Sequence, residues 1–318
     1  MPALRFHVKM HVPQRILDSA WEQGQVFGRI GRALEPFGGS YEYVLLNRET
    51  AMDDIAADDH FHIFERGTIR HPRALNCGSA YIAPYYYLDP VGTRYQSSIA
   101  ALSFDPDLID PRAALAFQCD LYAAQAVPRT SRYEQPEQRV LVPQGCIAVF
   151  LQSESHRGVG EALYITMRQM IKALLSRDDP RQIVVKPHPR DMDFETLAWL
   201  AQKARKDPRL IILPANIHDI LSAASVVVTI NSAVGIEAMI HSRPVITCGQ
   251  TDFHHATEVV RRPDDLPAAI ARTEGRTWPH AAYLYWFFHQ NCLSMRASDL
   301  GECVLRKIRA TGYFDHLG

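Results

Sequence analysis

Between residues 146 and 248 the chain alternates short, almost wholly apolar segments with helical ones. No other feature limits the fold as much. Cys146–Leu151, Gln182–Lys186, Leu210–Leu213, Ser225–Ile230 and Pro244–Cys248 are apolar and rich in Val and Ile, so they read as strands. Gly160–Leu175, Phe194–Ala204, Ile217–Ala224 and Ala233–Ile240 read as helices, with Asp193 the expected N-cap of the second. Strands apolar on both faces must be covered on both, which requires parallel βαβ units. A doubly wound domain follows, and its ligands bind beyond the carboxyl ends of the strands.

The first half is less regular. Leu4–Val8, Tyr41–Leu46 and His60–Phe64 read as strands, and Ser19–Leu34 and Pro111–Ala126 as helices. Residues 72–92 are turn-rich. Pro128–Arg139 is polar with two prolines, a composition that suits a linker. Trp278–Trp286 and the aromatic residues around it read as a buried helix. The expected division is 1–140, 141–290 and a C-terminal helix in 291–318 that returns to the first domain.

Lys and Arg number 34 against 35 Asp and Glu, a net charge of -1, which argues against a nucleic acid partner. Six cysteines carry no CxxC spacing and fit a reduced, cytoplasmic protein. No run approaches the ~20 apolar residues of a membrane span, and peripheral membrane contact stays open.

Two motifs fall at strand ends. Lys186-Pro-His-Pro-Arg190 follows a buried strand, and the prolines, Pro189 among them, fix the backbone around His188. Two cations beside an imidazole suit a phosphate. Thr229 to Ala238 then places Asn231 and Ser232 where a central strand turns into a helix. Ser232 is the expected N-cap. Gly235 permits close packing, and Glu237 is a candidate ribose acceptor. Each motif alone also has a plain structural reading, a proline-rich turn or a capped helix. Their succession in one doubly wound domain is the stronger signal.

From Phe150 through these two motifs to Pro244–Gly249 the chain resembles the bacterial capsule polysaccharide biosynthesis proteins, including the retaining β-Kdo transferases. The resemblance implies an α/β, GT-B-like fold: two Rossmann-like, doubly wound domains with an interdomain cleft, the first on the acceptor side. It implies a glycosyltransferase using a CMP-activated sugar, CMP-Kdo foremost. His188 and Ser232 would contact its phosphate, Lys186 and Arg190 would add charge, and Glu237 would bind the ribose. The partners implied are a nucleotide-sugar donor, a glycan or glycolipid acceptor and a capsule-assembly contact.

The resemblance is thinner in the first half. Phe64-Glu-Arg-Gly-Thr-Ile-Arg70 is similar to the family's Glu-Asp-Gly-Phe-Ile-Arg segment, with Arg66 in place of the second acid. Leu88-Asp-Pro-Val-Gly-Thr-Arg-Tyr95 is similar to the segment that follows it. Glycosyl transfer needs a carboxylate near the anomeric carbon. Glu65 and Asp89 are the candidates, and a turn role for Asp89 weighs as much. No metal or other cofactor is expected, because cations and a helix start supply the positive field. His60 and His62 read as a plain strand pair, and His254-His255 equally as a loop that closes over the nucleotide or as a plain polar loop. Two alternatives stay open: a transferase using CDP-glycerol or a UDP-sugar, and a non-catalytic GT-B-like protein that binds nucleotide or polysaccharide.

Overall fold

The computed structural model describes residues 5–18, 24–152, 162–188 and 193–316. Its strands in chain order are β1 (Phe6–Val12), β2 (Gly39–Leu45), β3 (Phe61–Glu65), β4 (Ala74–Ser79), β5 (Tyr85–Asp89) and β6 (Cys146–Phe150). Then come β7 (Ile183–Lys186), β8 (Leu210–Ile212), β9 (Ala224–Thr229), β10 (Val245–Thr247), β11 (Glu258–Val259) and β12 (Leu293–Ser294). The helices are α1 (Gln14–Asp18), α2 (Gly24–Leu34), α3 (Ala51–Ala56), α4 (Pro111–Gln125), α5 (Met167–Leu175) and α6 (Phe194–Lys206). They continue with α7 (Ile217–Ala223), α8 (Val234–Ile240), α9 (Leu266–Glu274), α10 (His280–Leu284) and α11 (Leu300–Arg309). None is long and apolar enough to cross a membrane, among the described residues.

The chain divides into two compact units, Met1–Leu102 with Phe287–Gly318, and Ser103–Trp286. The first unit holds a sheet in the order β12-β5-β4-β3-β1-β2. β2, β1, β3 and β4 run parallel, and β5 and β12 close the edge antiparallel. β4 and β5 lie in the stretch that composition marks as turn-rich. They are short, and Asn76, Gly78 and the tyrosines hide any alternating pattern. The core of this unit joins Val8, Met10, Ile30, Ile63 and Leu75 to Leu293, Val304, Leu305 and Ile308. Gly301 lets α11 press against α2. A Cβ there would overlap the Ala33 carbonyl, so no other residue fits without a shift.

The second unit carries a fully parallel sheet, β11-β10-β9-β6-β7-β8. Ile147, Val149, Val185, Val226 and Val228 are buried in it against Met170, Ile171 and Leu174 of α5. Each such side chain contributes roughly 1.5–3 kcal/mol. α5 opens on a capping box, Thr166 with Gln169, and Asp193 caps α6 by accepting from the Thr196 N–H.

α4 belongs to this unit. Its Gln118 Nε2 donates to the Met239 carbonyl at 2.9 Å and to Ser242 Oγ at 3.0 Å. The polar stretch after α4 is tied down there as well. Arg129 grips Asp219 with two bonds of 3.0 and 2.7 Å. His218 Nε2 donates to the Thr130 carbonyl at 2.8 Å, and Asn216 Nδ2 donates to the Arg129 and Pro136 carbonyls. The Ile217 N–H donates to Gln135 Oε1. Composition alone made this segment a linker. Its carbonyls are fixed by side chains distant in sequence, which composition does not reveal. α10 runs into wide i→i+5 turns over Tyr285–Asn291, and Tyr283, Phe287 and Phe288 are buried.

Candidate functional site

Parallel register sets Phe150, Lys186 and Thr229 level at the carboxyl edge of the second sheet. β6 lies between β7 and β9, so the two motifs leave next-nearest strands, roughly 10 Å apart. Lys186 is buried, and its Nζ donates to the Ala215 carbonyl. That bond ties the end of β7 to the loop after β8, and burial pushes the amine's pKa down. His188 is half-buried and meets the Tyr133 ring edge-on, centroids 5.1 Å apart at 82°. Pro189 and Arg190 lie outside the described residues.

Beyond β9, Asn231 bridges two loops. Its Oδ1 accepts from Gln152 Nε2 at 2.5 Å, and its Nδ2 donates to the Gln250 carbonyl at 3.3 Å. Ser232 Oγ accepts from the Val234 N–H at 3.3 Å, and its carbonyl accepts from the Gly235 N–H at 3.0 Å. The expected cap is therefore not made: α8 begins at Val234 with Ala233 as its N-cap and no side-chain cap, and Ser232 sits one residue before that cap, in the turn that leads into the helix. Gly235 has a packing cause: a Cβ there would lie 2.8 Å from the Phe253 ring. Glu237 is buried, and Ser131 Oγ donates to its Oε1 at 2.6 Å. Burial pushes its pKa up to about 7, against the hydrogen bond from Ser131.

The sequence did not single out Gln152, Ser131 and Tyr133. Gln152 sits just past β6, between the motifs, and is buried. Its Oε1 has no hydrogen-bond partner among the described residues. Its position after an apolar strand was the available signal. Nothing local marks Ser131 or Tyr133, because their partners lie 106 and 55 residues away.

The two carboxylates of the first unit differ. Glu65 ends β3 and is largely buried. It faces Arg66 at 3.2 Å, Arg15 at 3.4 Å and Arg48 at 3.8 Å, and all three guanidinium groups are about half exposed. Arg66 holds a left-handed backbone, φ 48°. Asp89 accepts from the N–H groups of Val91, Gly92 and Ser98 and from Ser98 Oγ at 2.6 Å. Its oxygens organise the loop after β5. His62 is buried and shares a 2.9 Å hydrogen bond with His11. Among the described residues no group of three or more His, Cys, Asp or Glu is arranged to hold a metal.

Residues 151–283 match the capsule polysaccharide biosynthesis protein family. No curated protein matches the sequence. Two solved structures from Thermosulfurimonas dismutans KpsC are similar. Its beta Kdo 2,7 transferase is 15% identical over 96% of this chain and 99% of its own, with a TM-score of 0.53. Its beta Kdo 2,4 transferase is 19% identical over 88% and 90%, with a TM-score of 0.54. At these identities the likeness is one of fold. Both motifs lie at one sheet edge inside the matched residues, so the likeness to the capsule polysaccharide biosynthesis protein family falls on the part of the chain that carries the candidate site, within an α/β architecture.

Proposed function

We propose that the protein transfers a sugar from a CMP-activated donor, with CMP-Kdo the first to test, to a glycan or glycolipid acceptor in capsule or surface polysaccharide synthesis. One observation carries this reading: the His188 and Ser232 motifs end parallel strands at the same edge of one sheet, with Glu237 one turn inside α8. The donor's phosphate is proposed to bind between the His188 imidazole and the Ser232 turn, and Glu237 to accept from a ribose hydroxyl. Glu65 is proposed as the carboxylate that supports the oxocarbenium-like centre. Asp89 is left to the loop it organises.

The proposed transfer is metal-independent, with the positive field supplied by protein groups, and should persist in a chelator. Six free cysteines support a reducing, cytoplasmic setting. The two similar KpsC domains are Kdo transferases, which supports that donor. The reading is tested by CMP release from CMP-Kdo, alongside thermal-shift titration with CMP, CDP, UDP and GDP. Selective stabilisation by CMP together with turnover supports it. Stabilisation by CDP or UDP alone overturns the donor.

A second reading has its own observation. Glu65 is ringed by three arginines, one of them where the family segment carries an acid, and Asp89 is engaged in its loop. These features favour a non-catalytic nucleotide-binding protein. It would bind CMP and release none from CMP-Kdo in the presence of acceptor glycans.

A further inference from the structure

The carboxyl edge of the first sheet carries a cluster of charge. Arg48, Arg15 and Arg66 follow the ends of β2, β1 and β3, three neighbouring parallel strands. All three converge on Glu65. Arg15 and Arg48 each bring an Nη2 to it, at 3.4 and 3.8 Å, and Arg66 its Nε at 3.2 Å. The guanidinium groups are about half exposed, whereas Glu65 is largely buried. Three positive charges against one negative leave the cluster net cationic. A carboxylate matches one guanidinium fork, and each guanidinium carries five donors, so Glu65 alone cannot satisfy three.

The cluster is built into the fold. Arg48 Nη2 donates to the Glu65 carbonyl at 3.0 Å, which fixes it beside β3. The Arg66 N–H donates to the Cys77 carbonyl at 2.8 Å. Buried Asn76 holds the loop that follows. Its Oδ1 accepts from the Ile69 N–H at 2.9 Å, and its Nδ2 donates to the Ile69 carbonyl at 2.8 Å. Gly67 lets that loop close, since a Cβ there would lie 2.5 Å from Asn76 Oδ1. Arg66 keeps a left-handed backbone at φ 48°, where Gly or Asn would be easier. The similar family segment carries an acid at that position, so the charge there has the opposite sign in this chain. Exposed ion pairs contribute little to stability and cost side-chain entropy. A ligand explains the arrangement better than stability does.

We propose that Arg15, Arg48 and Arg66 form an oxyanion site for the carboxylate or phosphate of a charged glycan, with Glu65 as the anchor that gathers them. A guanidinium fork meets either group through two parallel hydrogen bonds. Three guanidinium groups can bridge Glu65 and a bound anion and still stay net cationic. Ligands of parallel sheets bind beyond the carboxyl ends of the strands, which is where the three lie. That the glycan is the acceptor of the transfer rests on the donor reading above; the site itself does not.

The probes are glucuronate, glucose 6-phosphate and uncharged glucose. Each is titrated with the whole protein by ligand-observed NMR, with CMP in parallel and a thermal melt of every variant. The native protein is expected to bind the anions roughly 10-fold or more tightly than glucose. A preference for glucuronate alone identifies a carboxylate, and one for glucose 6-phosphate alone a phosphate. Arg48→Ala and Arg66→Asn should each abolish the preference. Asn suits the left-handed backbone, so Arg66→Asn removes the charge without strain and guards against a variant that does not fold. Arg112→Ala takes the same charge from an exposed position on α4 and should keep the preference, as should His188→Ala. Equal binding of glucose overturns the proposal. So does a preference that survives Arg48→Ala or Arg66→Asn, or one lost in Arg112→Ala or His188→Ala. Absence of CMP binding overturns the donor reading alone and leaves the oxyanion site to its own titration.

Discussion

His188 and Ser232 approach an anion by different means, so their loss should differ in size. The imidazole offers one hydrogen bond that charge can strengthen. His188→Ala should weaken CMP binding by about 1–3 kcal/mol. Ser232 Oγ is already engaged with the Val234 N–H, and the backbone donors remain after Ser232→Ala, so that loss should be smaller. Calorimetry of both variants checks the order, and a larger loss for Ser232→Ala would reverse the roles. Glu65→Gln keeps the shape and removes the charge. It should lower turnover of CMP-Kdo by at least about 100-fold and leave CMP affinity as it is. An active Glu65→Gln enzyme would remove Glu65 from the chemistry. Glu237 gives a pH signature. Its pKa near 7 makes it an acceptor-only carboxylate above neutrality, so ribose contact should add CMP affinity as pH rises through about 7. Glu237→Gln should flatten that component, and an unchanged profile would place the ribose elsewhere.

At the scale of elements, β1 and β3 carry a buried histidine pair with a definite response to acid. His11 and His62 are fully buried and share one hydrogen bond. Burial lowers both pKa values to about 4, and for His62 the neighbouring His11 adds to the effect. In the unfolded chain both titrate near 6.5. Between pH 6.5 and 4 the unfolded state binds more protons, so stability held above pH 6.5 falls as the pH drops towards 4. The loss for the pair is on the order of a few kcal/mol. His241 and His280 shift the same way, so the His11→Leu, His62→Leu double variant should remove part of the slope. Urea midpoints across that range measure it, and an unchanged slope would exclude the pair.

Legibility from sequence follows the same physics. β6, β7, β9 and β10 were readable because strands covered on both faces are apolar throughout. β4 and β5 were not, since Asn76, Gly78 and three tyrosines give neither a run nor an alternation. His188 and Ser232 were legible because a strand end is a local feature. Ser131, Tyr133 and the three arginines around Glu65 were not, because only the tertiary fold brings them to their partners.

At the scale of the molecule, the first unit depends on residues from both ends of the described chain. β12 pairs with β5, and Val304, Leu305 and Ile308 of α11 are buried among residues of β1, β3 and α2. Ile308→Ala should cost about 2–5 kcal/mol and loosen that unit in particular. Hydrogen exchange should show lost protection in β1 and β3 and native protection in β6 and β9. Equal loss in both sheets would mean the two units unfold as one.

The split character of the first unit also sets an order of assembly during synthesis. β1 to β5 leave the ribosome early, yet β12 follows β5 by roughly 200 residues, a wait of about 10–40 s at ordinary translation rates. The second unit is one uninterrupted stretch and can close its sheet in that interval. The nascent chain should therefore complete its later half first. Meanwhile the apolar surface that α11 will cover stays open, and chaperones can meet it there.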